Sequence, residues 1–192
     1  MPPKTKFARE AVIEAALEVA RKKGFSGITA RSVAHRLNSS VAPIYVNFDT
    51  IEDLVEAVVQ RVFEISEELL ARQQGKSLYE RIGLASLAFA RKYPVLVREL
   101  SLQPNKYLAS YETIEKTMIE ALAEDEAMRD WSLKERRHLF LKMRIFQMGL
   151  MAMVANGHMP AWLDNRAVES LFLEVGDDLL LVQQIKRKGQ NE

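Results

Sequence analysis

Apolar positions recur at helical spacing along nearly the whole chain, and the strict alternation of a half-buried strand is nowhere sustained. The pattern predicts a first helix from about Thr5 or Lys6 to Lys23, closed by Gly24. Two short helices follow. Thr29 is placed to cap one whose apolar face is Val33, Ala34 and Leu37, and Asn38 stands where a left-handed turn residue is needed. Ser40 is placed to cap the next from Val41, with Pro43 at its third position, where a missing N–H breaks no intrahelical bond. Thr50 with Asp53 starts a longer helix ending near Gln74-Gly75, and the Ser77/Glu80 pair starts another that stops before Pro94. Short segments from Pro94 to about Gln103 and from about Lys106 to Glu124 precede a Ser132/Glu135 box, which opens a helix reaching Asn156 and stopped by Gly157. The last helix spans about Asp164 to Lys186. The expectation is all-α with about nine helices: a three-helix domain over 1–50 containing a helix-turn-helix, and a larger helical domain over 51–192.

The last two helices carry more apolar surface than one side requires. Between Leu133 and Ala155 the polar residues gather on the stripe Lys134, His138, Lys142 and Asn156, and the rest of the circumference is largely apolar. Such a helix must be covered on two sides. Phe146, Leu150 and Val154, with Val168, Leu171, Phe172, Val175, Leu179 and Val182 on the final helix, form the expected homodimer face, with Gly149 and Gly176 allowing close approach. A larger intrachain core is the alternative.

Composition narrows the classes. With 192 residues, 48% hydrophobic and 28% charged, the chain can fold on an ordinary core without covalent staples. It has no cysteine, which excludes a thiolate metal site and a Cys nucleophile and fits a reducing cytoplasm. No apolar run has the length of a membrane span, and the first residues lack a signal peptide's apolar core, so a cytoplasmic protein without a membrane partner is expected. The net charge of +1 hides an asymmetry. Residues 1–50 hold eight basic against four acidic side chains, a net +4, while the remainder carries −3. A basic head suits a partner with phosphates at one end of the molecule, although Arg21, Lys22 and Lys23 are better explained by the negative end of the first helix.

The head also carries a spaced pattern: Ala15-Ala16-Leu17, Gly24-Phe25, Thr29, Val33-Ala34, Leu37-Asn38-Ser39-Ser40, Ile44-Tyr45-Val46-Asn47-Phe48 and Glu52-Asp53-Leu54. At these positions the chain resembles the TetR family of bacterial transcriptional regulators, over roughly its first quarter. The resemblance implies a homodimer that places a reading helix in the major groove of a double-stranded DNA operator. It also implies phosphate anchoring by Lys4, Lys6, Thr29, Arg31 and Tyr45, with Ser39, Ser40, Val41, Ala42, Pro43, Tyr45 and Asn47 where base edges are approached. Val33, Leu37, Ile44 and Phe48 are expected in the motif's core with Ile13 and Leu17. Two departures stand out: Ile51 replaces a frequent Lys and Asn38 the usual turn Gly. Residues 37–60 contain no Lys or Arg, so no guanidinium is available there to fork onto guanine.

For the body, the family resemblance implies an unidentified, largely apolar small-molecule effector. Seven of the eight methionines fall between Met118 and Met159, an arrangement that serves an adaptable pocket and an irregular core alike. Phe89, Tyr93, Tyr107, Met118, Phe140, Arg144, Met148 and Met151 are the candidate pocket residues, with Trp131, Trp162 and Tyr111 available to line or pack. Arg144, among apolar neighbours, needs an anionic partner: a ligand group, or a carboxylate such as Glu99, Glu115 or Asp178. His35, His138 and His158 lack metal-pair spacing, and no phosphate loop or nucleophile elbow occurs, so no catalytic residue, metal or cofactor is expected. The reading is a ligand-released repressor. Its rivals are an effector-independent DNA-binding regulator, and a helical ligand-binding protein or enzyme with a vestigial DNA-binding head.

Overall fold

The computed structural model describes residues 7–107 and 111–189; Lys4 and Lys6 lie outside them, as does the Tyr111 side chain. Among the described residues the chain is all-helical, without strands. Its helices are α1 (Arg9–Lys23), α2 (Ala30–Arg36), α3 (Ala42–Asn47), α4 (Ile51–Ala71), α5 (Leu78–Lys92), α6 (Pro94–Ser101), α7 (Tyr111–Glu124), α8 (Leu133–Asn156) and α9 (Asn165–Lys188). They form two compact units. One takes the described residues up to Glu68 together with Lys92–Tyr107, the other Leu69–Arg91 together with the described residues from 111 on. The first unit thus runs past residue 50, because Leu54, Val58 and Val62 of α4 are fully buried and α6 packs on α1.

The first unit is built around α1, which buries Val12, Ala16, Leu17 and Ala20. Val33 and Ala34 of α2, Ile44 of α3 and Phe48 join them, as do Leu96, Val97 and Leu100 of α6. Leu37 is only half-buried. Local chemistry fixes the ends. Thr29 and Ser32 cap α2 reciprocally: the Ser32 amide donates to Thr29 Oγ1 at 3.1 Å and the Thr29 amide to Ser32 Oγ at 2.9 Å. Asn38 takes φ +50° in the turn, and Thr50 and Asp53 form the same reciprocal arrangement before α4. Two expectations shift. Helix α1 starts at Arg9, after an extended Ala8, and α3 starts at Ala42 with Val41, not Ser40, as its N-terminal flanking residue and no side-chain cap. Pro43 therefore stands second in α3.

The second unit packs α5, α7, α8 and α9 around Leu87, Leu139, Phe140, Met143, Leu150 and Phe172. The Ser132/Glu135 box opens α8, Gly157 closes it at φ +68°, and Asp164 caps α9 by accepting the Ala167 amide hydrogen at 2.8 Å. The Ser132 hydroxyl and amide bonds hold the Glu135 carboxyl below its ordinary range. Arg187 ties the end of α9 to this start: its Nε lies 3.2 Å from Glu135, it donates to the Asp130 carbonyl, and its guanidinium lies over the Trp131 ring. Arg91 joins α5 to α9 through Glu169 and the Asn165 carbonyl. Buried Tyr79 donates to the Met143 carbonyl at 3.1 Å, and burial pushes its phenol pKa up. Lys106 and Tyr107 are not helical, so α7 begins at Tyr111, later than its spacing suggests.

Candidate nucleic-acid interface

The α2-turn-α3 segment presents one continuous exposed edge. Ser40, Val41, Ala42, Tyr45 and Val46 are exposed, and Ser39 is half-exposed. Val46, at 67% exposure, is the residue sequence reasoning missed; it falls outside the inward spacing of Ile44 and Phe48, and that was the available signal. Tyr45 is 54% exposed, an aromatic hydroxyl held out from a buried neighbour. Arg31 is exposed at the start of α2 and makes no ion pair among the described residues, so its guanidinium is open to an incoming anion. Thr29 is exposed as well, with its hydroxyl engaged in the cap.

Two residues expected at base edges are turned otherwise. Pro43 is buried with Ile44, because a proline second in α3 packs its ring inward against the motif's core. Asn47 is half-buried, and its amide nitrogen donates to the Pro43 carbonyl at 2.8 Å and the Phe7 carbonyl at 3.4 Å. Arg9 lies over the Phe48 ring, 4.6 Å from its centroid. The exposed edge therefore consists of small hydroxyls, methyls and Tyr45, with Arg31 and exposed His35 and Arg36 on α2 as the nearby nitrogen groups. Such a surface meets thymine methyls and phosphates more readily than guanine edges.

The expected effector residues divide. Tyr93 is buried in the first unit beneath Arg21 and Lys92, and Tyr107 packs on Phe25 there. In the second unit Met118 and Phe140 line a cavity of about 270 Å³ with Tyr79, Leu122 and Met143, and Lys76, Arg81, Glu124 and Asp125 supply its polar groups. Tyr79 and Met143 were not singled out from sequence; their interleaving with core positions gave no sign of them. Phe89 and Met151 are buried, while Met148 and Arg144 are half-buried, and all four lie outside that lining. Arg144 is already engaged in a contact of its own. Two proposed partners for it are committed elsewhere: Glu99 to the Phe25 amide, and Glu115 to Arg137 at 3.5 Å. His35, His138 and His158 are exposed. Among the described residues no cluster of metal-ligating side chains occurs and no helix is long and apolar enough to cross a membrane.

Of the residues expected at a dimer face, Leu150, Val168 and Phe172 belong to the second unit's own core, and Phe146, Val154 and Leu179 pack against it. Phe172 sits over Gly83 of α5 and stacks on Tyr79, which uses up that face within one chain. Leu171 and Val175 are half-buried and Val182 exposed; Leu141, Ile145 and Met153 of α8 and Leu181 and Ile185 of α9 complete the exposed large apolar side chains of these helices beyond Leu133.

Among the described residues, an all-helical fold with an exposed edge on its N-terminal helix-turn-helix has the build of a DNA-binding transcription regulator. Residues 12–58 match the family model of bacterial regulatory proteins, tetR family, and the fold of the chain is similar to that of solved TetR-like regulators. A TetR-like transcriptional regulator from Rhodococcus sp. RHA1 is similar over 90% of this chain and 93% of its own, at 21% identity and a TM-score of 0.63. TetR from Acinetobacter baumannii AYE is similar over 95% and 99%, at 18% identity and a TM-score of 0.52. The multidrug binding protein EbrR, in complex with proflavin, is similar over 89% and 98%, at 19% identity and a TM-score of 0.52. Comparison of the sequence with curated proteins gives no match.

Proposed function

We propose that the protein is a homodimeric repressor that works in the cytoplasm and is released from a double-stranded DNA operator by a largely apolar small molecule. The observation that carries this reading is the pairing, in one chain, of an exposed helix-turn-helix edge with a second helical unit containing its own aromatic- and methionine-lined cavity. At about 270 Å³ the cavity is near the lower end of the range for small-molecule sites, which favours a compact ligand. A multidrug binding protein of the same fold holds proflavin, and an aromatic effector of that order of size is consistent with Tyr79 and Phe140 in the lining. Two reading helices bound to successive major grooves sit about 34–36 Å apart. An effector that favours any other separation lowers operator affinity, and the operator must then weaken effector binding by the same factor.

The test has two stages. Genomic fragments retained by the full chain give the operator, and compounds that raise the protein's melting temperature are then added to the operator complex. Release by a stabilising compound supports the reading. Retention of DNA with no compound able to release it would leave an effector-independent regulator, and turnover of a compound without DNA retention would leave the enzyme with a vestigial head.

A further inference from the structure

We propose that Val46 is a specificity-determining residue of α3: with Ala42 beside it, it meets the C5-methyl group of thymine in the major groove and so selects thymine-bearing operators. The proposal rests on the DNA-binding reading above. At 67%, Val46 is the most exposed large apolar residue of the helix-turn-helix. Ala42 stands four places before it and is exposed as well, so the two lie one above the other on a single helix face. Val41 and Tyr45 make the adjacent pair at the same spacing, since Val41 has helical backbone angles, φ −73° and ψ −13°. Pro43 and Ile44 take the buried side. Left in water, a β-branched side chain gives a six-residue helix neither packing nor propensity, so the fold supplies no reason for a valine at this position.

The hydrogen-bonding groups of the same edge do not discriminate between bases. Ser39, Ser40 and Tyr45 carry hydroxyls, which donate or accept as the partner requires. An asparagine can pair with adenine, but the Asn47 amide nitrogen already donates to the Pro43 and Phe7 carbonyls. Residues 37–48 hold no charged side chain, whereas Arg31, His35 and Arg36 are exposed on α2. An uncharged apolar strip beside cations complements a duplex, whose rims are anionic phosphates and whose groove floor at a thymine is a methyl group. Valine suits that contact because its branched Cβ restricts its rotamers, so little freedom is lost on binding.

A cycle between protein and DNA tests this. The full chain selects its site from random DNA, and each thymine of that site is replaced in turn by deoxyuridine, which lacks only the methyl group. At one position or more, affinity should fall about fourfold, the worth of one methyl-sized group taken out of water. Val46→Ala should bring that ratio below about twofold. It should leave the salt dependence and the melting temperature near those of the wild type, because neither a phosphate contact nor core packing is touched. Equal binding of thymine and deoxyuridine at every position overturns the proposal, as does a ratio that persists in Val46→Ala. An equal loss of affinity for both bases in that variant overturns it too. A wild-type chain that retains no DNA overturns the regulator reading itself, whereas DNA binding without methyl dependence overturns only the role of Val46.

Discussion

The Glu99 carboxylate accepts the Phe25 amide hydrogen at 2.7 Å from a position 74 residues further along the chain. It also fills the space that a side chain at Gly24 would need: a Cβ there would overlap Glu99 Oε1, and the backbone stands at φ +75°. Helix α6 is thereby keyed into the point where α1 gives way to the helix-turn-helix. Asn105, bonded to the Leu100 carbonyl at 2.8 Å, closes the end of α6 on the same unit.

Glu99→Ala leaves a part-buried amide without its acceptor and should destabilise the protein by about 1–3 kcal/mol. Glu99→Gln keeps a carbonyl acceptor in place and should lose less. Urea unfolding of the two variants checks this, and equal stability of Glu99→Ala and the wild type would show that water replaces the carboxylate at no cost.

The elements were legible in the sequence because their signals are local. Thr29, Asp53, Ser132 and Gly157 act within three or four residues of themselves, and each appears in its expected role; Asp164, expected as the first residue of the last helix, stands one place ahead of it as the cap. Ser40 was misleading because a serine ahead of a proline-containing turn reads as a cap whether or not the next residue continues the turn, as Val41 does here. The site was less legible. Whether Asn47 points at DNA or at Phe7 depends on a neighbour 40 positions away, and whether Phe172 faces a partner or its own chain depends on a glycine 89 positions earlier. Apolar periodicity marks the covered face of a helix without saying what covers it.

Gly83 is that glycine. A Cβ on it would overlap the Phe172 ring, which is fully buried and stacked on Tyr79 with centroids 5.3 Å apart. Gly83→Ala should therefore cost about 1–3 kcal/mol by overpacking, despite the better helix propensity of alanine. Phe172→Leu in the same chain should return part of it, since the smaller side chain vacates the contested space. Thermal unfolding of the two single variants and the double variant measures the coupling, and additive losses would mean that α5 and α9 shift apart without strain.

Tyr45 and Arg31 are exposed on the helix-turn-helix. Replacing both by alanine should weaken binding to every DNA sequence alike and reduce the salt slope by about 1–2, while leaving the melting temperature near that of the wild type. Titrations at several salt concentrations, with specific and random DNA, decide it. A wild-type slope in the double variant would remove both residues from the phosphate contacts.

The apolar residues that α8 and α9 leave uncovered, Ile145 at 64% exposure and Val182 at 47%, separate folding from association. If these helices pair with a second copy, Ile145→Glu with Val182→Glu should bring like charges together across a self-complementary face and give soluble, folded monomers. Leu150→Ala, by contrast, opens a cavity in the chain's own core and should lower stability by about 2–5 kcal/mol whatever the oligomeric state. Sedimentation and thermal unfolding of both variants distinguish the faces. A charged double variant that still sediments as a dimer would move the interface off this face, and a wild-type monomer at micromolar concentration would leave Ile145 and Val182 as solvated side chains.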